Sequence, residues 1–422
     1  MSFPGPDSLK LTTQMDLMGV MKTRPFAIDL NGSQGMYLKT VEGQDIFDWA
    51  GYYGSKLLGH NNSCYFEPEY EQRILLAARN RTANPDFVTQ ELVDYYQFLH
   101  DIAPTCIKYS DFRVYTLNSG AEAVENALKY CIYKHSLKSN EAPKFLCFEG
   151  AFHGRTLYAL SLTDMPYDLA STEAFRNAAP APLRVHFPTN HEQVLRSLDI
   201  IEILFQQFEH SLAGLIIEPM LSAGGNLTST PYFFQQLSEL CHSYNVPIIF
   251  DEVQTAGGQT GTMWMVDQFD LPRAPDCVVS AKKFGCGVLY MKEPLPEEVL
   301  DSTWSGSLVD MVRVPHEFSV VTKDKLIDRV PEKAAYLVAG LKKLQVKFPD
   351  IISTIDGAGL YQGFSLASVE LRRKLITNLL HNYNTLILGA GICSVRVRPP
   401  LTVSAVDIAN FLTKLELALK DL

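Results

Sequence analysis

The chain has 422 residues, 46% of them hydrophobic and 20% charged, enough to bury a large core without help from disulfides or metals. Its formal net charge of −10 argues against nucleic acid or an anionic membrane surface as a partner. The eight cysteines stand singly, without C-x-x-C pairs, and read as reduced thiols. The N-terminus lacks the apolar core of a secretory signal, and no stretch approaches the ~20 apolar residues of a membrane span. A cytoplasmic protein is the expectation.

Near the start, FAIDLNGSQGMYLKTVEGQDIFDWAG reads as short strands separated by Asn-Gly and Glu-Gly turns, an antiparallel meander. From about Cys64 the texture changes. Helical runs such as GAEAVENALKYCIYKHSL alternate with the short apolar strands KFLCF, LAGLII, PIIFD and DCVVS. That alternation predicts an α/β domain around a mostly parallel sheet, with its site at the carboxyl ends of the strands. Each of the four strands runs into polar sequence there. Beyond about residue 310, the helix VPEKAAYLVAGLKKLQVKF precedes short segments from Ile355 to Ser365, and RVRPPLTV leads into a final amphipathic helix. Both termini are therefore expected to build a smaller domain (residues 1–63 and 311–422) beside a large one (residues 64–310).

Four motifs carry chemistry. NSGAEAVENALKY places Ser119 and Gly120 at a helix entrance, where free N–H groups and the helix dipole favour an anion; helix capping alone explains the same pair. EGAFHGRT sets Phe152, His153 and Arg155 just past a strand. There an aromatic can stack on a planar ring and an arginine can clamp a carboxylate, the plainer alternative being a core Phe and a surface Arg. Asp251 and Glu252 close the strand of VPIIFDE, and a buried carboxylate needs a partner, either a magnesium ion or a protonated ring nitrogen. No G-x-x-x-x-G-K-[ST] phosphate loop supports the magnesium reading. Finally, VVSAKKFGCG reads as a buried strand ending in Lys282 and Lys283, which strand alternation puts on opposite faces. An apolar pocket lowers a lysine's pKa and makes its amine nucleophilic. An anion-binding helix start, a ring stacker, an acid for a pyridinium and a Schiff-base lysine are together the parts of a pyridoxal 5′-phosphate site.

With NSGAEAVENALK, GAFHGRT, IIFDEVQT and STWSG in combination, the sequence resembles the class III, fold-type I, pyridoxal-phosphate-dependent aminotransferases nearly end to end. Within them it is most similar to lysine 6-aminotransferases, through STWSGSLVDMVR and RVRPPLTVS. The resemblance implies Lys282 as the Schiff-base lysine and proton shuttle, and Asp251 as the partner of the ring nitrogen. It implies Gln254 at the ring's phenolic oxygen, with Phe152 and Val253 on the two ring faces and His153 beside them. Ser119, Gly120 and Ala121 would hold the phosphate, and Thr303 would reach the phosphate of a neighbouring subunit, making a homodimer with shared sites. Arg155 matches an arginine that binds a substrate carboxylate, and Arg396 one that binds the α-carboxylate of 2-oxoglutarate or glutamate.

One departure concerns substrate. Family members acting on terminal amines usually carry E-P-[IV]-Q-[GS]-E-G-G where this chain has Glu218-Pro219-Met220-Leu221-Ser222-Ala223-Gly224-Gly225. The second glutamate, which normally pairs with the arginine matched by Arg396, is Ala223. Either the site favours substrates whose carboxylate faces Arg396, or another acid takes that role. The segment between Lys282 and Thr303 is also several residues shorter than in lysine 6-aminotransferases. The same fold serves racemases, aminomutases and decarboxylases as well as transaminases, and a non-catalytic binding protein is the remaining alternative.

Overall fold

The computed structural model describes residues 3–20, 24–108, 111–165, 169–176, 179–296 and 298–422. Its centre is a seven-stranded sheet of β1 (Arg113–Leu117), β2 (Lys144–Phe148), β3 (Leu183–Val185), β4 (Leu212–Ile217), β5 (Ile248–Asp251), β6 (Cys277–Ser280) and β7 (Gly287–Met291). The strands lie in the order β1-β7-β6-β5-β4-β2-β3. β7 runs antiparallel to both its neighbours, and every other pairing is parallel. All residues of β4, β5, β6 and β7 are buried, as befits strands covered on both faces. Successive side chains go to opposite cores: Leu215 and Ile217 join one apolar cluster, and Ile216 the other. Helix α1 (Gly120–Ser136) lies on the second face, where Val124, Ala127, Leu128 and Cys131 pack beside Ile216 and Val279.

The N-terminal meander forms as expected, from Ile28–Gln34, Tyr37–Thr40 and Asp45–Asp48. Its fourth strand is Thr385–Leu386, which pairs in parallel with Asp45–Asp48. A second four-stranded sheet joins Ile352–Ala358, Tyr361–Leu366, Ser394–Arg396 and Leu388–Ala390. Helices Val330–Lys347, Val369–Tyr383 and Ala405–Lys420 pack against one another and these strands. The turn Ser63–Phe66 and the helix Leu308–Lys323 run through the two domain junctions drawn from sequence texture, so neither junction is a free linker. Among the described residues no helix is long and apolar enough to cross a membrane.

One local expectation is corrected. The strand does not carry Lys282 and Lys283, because it ends at Ser280 and residues Lys282–Phe284 form a tight turn. Lys282 itself has φ 51°, in the left-handed region. Strand alternation therefore says nothing about which lysine faces the site; the turn decides it.

Candidate active site

The carboxyl ends of β4, β5 and β6 deliver Glu218, Asp251 and Lys282 to one place, as the topology of a parallel sheet requires. Two adjoining compartments meet there, of about 410 and 360 Å³. Phe152, Arg155, Asp251, Val253 and Lys282 border both. The smaller compartment adds Ser119, Gly120, Ala121 and His153. The larger adds Glu218, Ala223, Gln254 and Arg396, together with Tyr53 from the N-terminal part of the chain. Of the residues given a site role by the resemblance, Thr303 alone borders neither. It is exposed, and its carbonyl accepts a hydrogen bond from Asn84 Nδ2 at 3.2 Å.

The smaller compartment is suited to an anion. Ser119 caps α1, its Oγ accepting from the Glu122 backbone N–H at 3.2 Å, and the first-turn N–H groups of the helix open toward the cavity. β7 approaches this helix start closely. A Cβ on Gly287 would lie 2.3 Å from the Ser119 carbonyl oxygen, so only glycine fits.

Asp251 is buried and its two oxygens are separately engaged. Oδ2 lies 2.7 Å from His153 Nδ1, and Oδ1 accepts from the Val253 N–H at 3.1 Å. The second nitrogen of His153, Nε2, is buried with no hydrogen-bond partner among the described residues. Glu218 is also buried and accepts the Phe152 N–H at 2.9 Å. Burial, reinforced by the Asp251 charge, pushes its carboxyl well above the usual carboxylate range. Burial likewise lowers the Lys282 ammonium to about 8, against the stabilising pull of Asp251 and with Arg396 adding to the depression. Arg155 is exposed, its guanidinium 5.6 Å from the Phe152 ring centroid.

Lys283 has the opposite setting. It is buried, and its Nζ donates to the carbonyls of Gln254 at 2.8 Å and Ala256 at 2.5 Å while lying 5.0 Å from the Tyr361 ring centroid. It ties the turn after β6 to the turn after β5. On the same ring sits Arg398, fully buried, its guanidinium 4.6 Å from the centroid and its Nη2 on Asn226 Oδ1 at 2.5 Å. Burial lowers Arg398 to about 9, with the neighbouring Arg396 charge acting in the same direction.

Tyr53 and Glu218 are site residues that motif reading missed. Glu218 had a visible signal, since it ends an apolar strand just as Asp251 does. Tyr53 had none, because its place depends on backbone geometry. Gly51, Tyr52, Tyr53 and Gly54 all have positive φ, at 51°, 49°, 59° and 82°, a single turn of left-handed chain. Such a conformation costs an L-residue roughly 1–2 kcal/mol.

These features fit pyridoxal 5′-phosphate on the structure's own terms. The anion-binding helix start matches a phosphate, the buried carboxylate a cationic ring nitrogen, and the partly neutral amine an aldehyde. Gln254 Nε2, buried beside the larger compartment and near the Tyr361 hydroxyl without a well-formed hydrogen bond, is a donor placed to serve an acceptor oxygen.

The family profile described as aminotransferase class-III matches residues 19–419. The chain belongs to the class-III aminotransferases. It is thus a transaminase that uses pyridoxal 5′-phosphate. The aminotransferase is 30% identical over 439 residues to the L-lysine-epsilon aminotransferase of Amycolatopsis lactamdurans, covering 98% of this chain and 96% of that protein. It is 27% identical over 451 residues to a 4-aminobutyrate aminotransferase of Dictyostelium discoideum, covering 99% and 90%. Among solved structures it resembles the lysine aminotransferase of M. tuberculosis in the internal aldimine form. That match has a TM-score of 0.87 and 29% identity, over 96% of this chain and 98% of that one. The fold-type I architecture read from the sequence is the one found.

Proposed function

We propose that this aminotransferase moves an amino group from a lysine-like or other amino acid donor to a 2-oxo acid, 2-oxoglutarate being the expected acceptor, in two successive half-reactions. The observation that carries this reading is the position of Lys282. Its amine sits on the boundary between an anion-binding compartment and one bordered by Arg155 and Arg396. The cofactor, when bound, supplies an aldehyde for capture of the amine and a ring that accepts electrons.

The protein's own groups do the rest. Lys282 Nζ, brought toward neutrality by burial, holds the cofactor and, once displaced, moves the proton released from the substrate Cα. Asp251, oriented by His153, keeps a proton on the ring nitrogen. Gln254 Nε2 would donate to the phenolic oxygen, Phe152 and Val253 would cover the ring, and Ser119, Gly120 and Ala121 would hold the phosphate. Arg155 and Arg396 orient substrate carboxylates.

Donor choice turns on Ala223. The larger compartment is bordered by the guanidinium groups of Arg155 and Arg396 and the partly neutral Lys282 amine, against the acids Glu218 and Asp251. Glu218 is pushed toward its neutral form and already accepts the Phe152 N–H. Because Ala223 has no carboxylate to offer, either the site favours donors that present a carboxylate to Arg396, or another acid takes that role. A panel of lysine, ornithine, 4-aminobutyrate, β-alanine and α-amino acids, followed in single turnovers by the cofactor's absorbance, tests this. Transfer from none of them would overturn the transaminase reading for these substrates. Ala223→Glu is expected to shift the profile toward donors reacting at a terminal amine, and an unchanged profile would remove position 223 from the account.

A homodimer with shared sites is part of the same proposal. Thr303 borders neither site compartment of its own chain and lies on a loop knitted to residues 81–88 by Asn84, by the Ser305 N–H to Ala83 and by Arg81 over Trp304. Phe87, Val88 and Trp304 are exposed on these two loops. An apolar surface of that kind suits a subunit contact.

A further inference from the structure

The left-handed turn Gly51–Gly54 is held from both ends by groups that do not border the larger compartment. At its entrance, Asp48 Oδ1 accepts the N–H groups of Ala50 at 2.9 Å and Gly51 at 3.0 Å. The other oxygen of Asp48 lies 3.1 Å from His60 Nε2, and the two residues are 3% and 6% exposed. At its exit, the Tyr361 hydroxyl donates to the Gly54 carbonyl at 3.2 Å. A Cβ on Gly51 would come within 2.2 Å of the Arg398 carbonyl oxygen, and one on Gly54 within 2.2 Å of Gln254 Nε2, so the turn packs closely against both and leaves no room for a side chain at either glycine.

Strained backbone of this kind persists only where its surroundings over-determine it, and it clusters where geometry matters for function. What this turn delivers is Tyr53, whose side chain borders the compartment shared by Lys282, Arg155 and Arg396. With His60 removed, the buried Asp48 carboxylate would lose its one side-chain hydrogen-bond partner among the described residues. Its two backbone bonds would then have to hold the turn entrance unaided.

We propose that Asp48 and His60 are positioning residues for substrate binding. They fix the entrance of the left-handed turn and through it seat Tyr53 at the cavity, without touching substrate or cofactor. The inference rests on the transaminase reading of that cavity, and it predicts a particular kinetic signature. Misplacing Tyr53 should weaken donor binding, while Lys282, Asp251 and the anion site remain as they were.

The experiment is a double-mutant cycle on the full-length holoenzyme, with His60→Ala, Tyr53→Ala and the pair. His60→Ala is expected to raise the donor KM by about tenfold with a change in kcat under about threefold, leaving cofactor affinity and absorbance as in the wild type. The paired variant should have the KM of Tyr53→Ala alone. His60→Gln can place an amide N–H on Asp48 Oδ2, and it is expected to recover most of the loss. Should His60→Ala fail to fold, Asp48→Asn and His60→Gln combined with Tyr53→Ala read the same coupling. Multiplicative effects in the cycle, an unaltered KM in His60→Ala, or loss of cofactor binding together with donor binding would each overturn the proposal. A wild-type holoenzyme whose absorbance ignores every donor would instead overturn the transaminase reading beneath it.

Discussion

Lys282 Nζ borders a cavity, whereas Lys283 Nζ, one residue on, is fastened to the carbonyls of Gln254 and Ala256. Lys282→Ala is therefore expected to abolish covalent capture of the cofactor, seen as loss of the visible band that borohydride would otherwise fix. Lys283→Met should retain capture but lower stability by roughly 1–3 kcal/mol in urea unfolding, because two buried carbonyls lose their donor. A pH dependence follows from the lowered Lys282 value of about 8. Only the neutral amine attacks an aldehyde, so capture by cofactor-free protein should rise as pH increases through 8 and then level off. A rate still climbing near the ordinary lysine value of about 10.4 would contradict that account. The lysine pair was visible in the sequence and the family resemblance selected Lys282, but the physical cause of the choice was not visible. The choice depends on a left-handed φ at Lys282, which no spacing of apolar residues encodes.

Among the elements, those with continuous apolar sequence were legible: β2, β4, β5 and β6 announce themselves because they are covered on both faces. RVYTL and GVLYM, which became β1 and β7, were harder. β1 is a part-exposed edge strand, and β7 runs against the direction that an alternating helix–strand pattern implies. Yet β7 has a direct part in the site, because its first residue leaves space for the start of α1. Gly287→Ala would drive a methyl group into the Ser119 carbonyl and displace the helix entrance. The expected result is a loss of cofactor affinity of tenfold or so, measured by absorbance titration, with Lys282 still reactive toward a phosphate-free aldehyde. The turn at Gly51–Gly54 was illegible for a different reason. Its two tyrosines adopt a conformation they disfavour, so local preference points away from the observed geometry.

For the whole molecule, the proposed sharing of sites gives a test that needs no structure of the dimer. If Thr303 serves the neighbouring subunit, mixing Lys282→Ala chains with Thr303→Ala chains should regenerate one complete site per hybrid dimer. Activity should then exceed that of either parent. Failure of such hybrids to recover activity, with mixed dimers demonstrated, would return Thr303 to its own subunit or to no role. The same scale holds one more consequence, set by the parallel pairing of Thr385–Leu386 with Asp45–Asp48 and the bond between Gln44 and Asn384, 340 positions apart. A ribosome adding about 5–20 residues per second needs roughly 20–70 s to bridge that gap. Throughout that interval the meander has an open edge, the kind of surface on which strands of other chains can add. The first sheet to be synthesised is thus among the last to be closed, and the nascent chain is most vulnerable to aggregation while its far end is still being made.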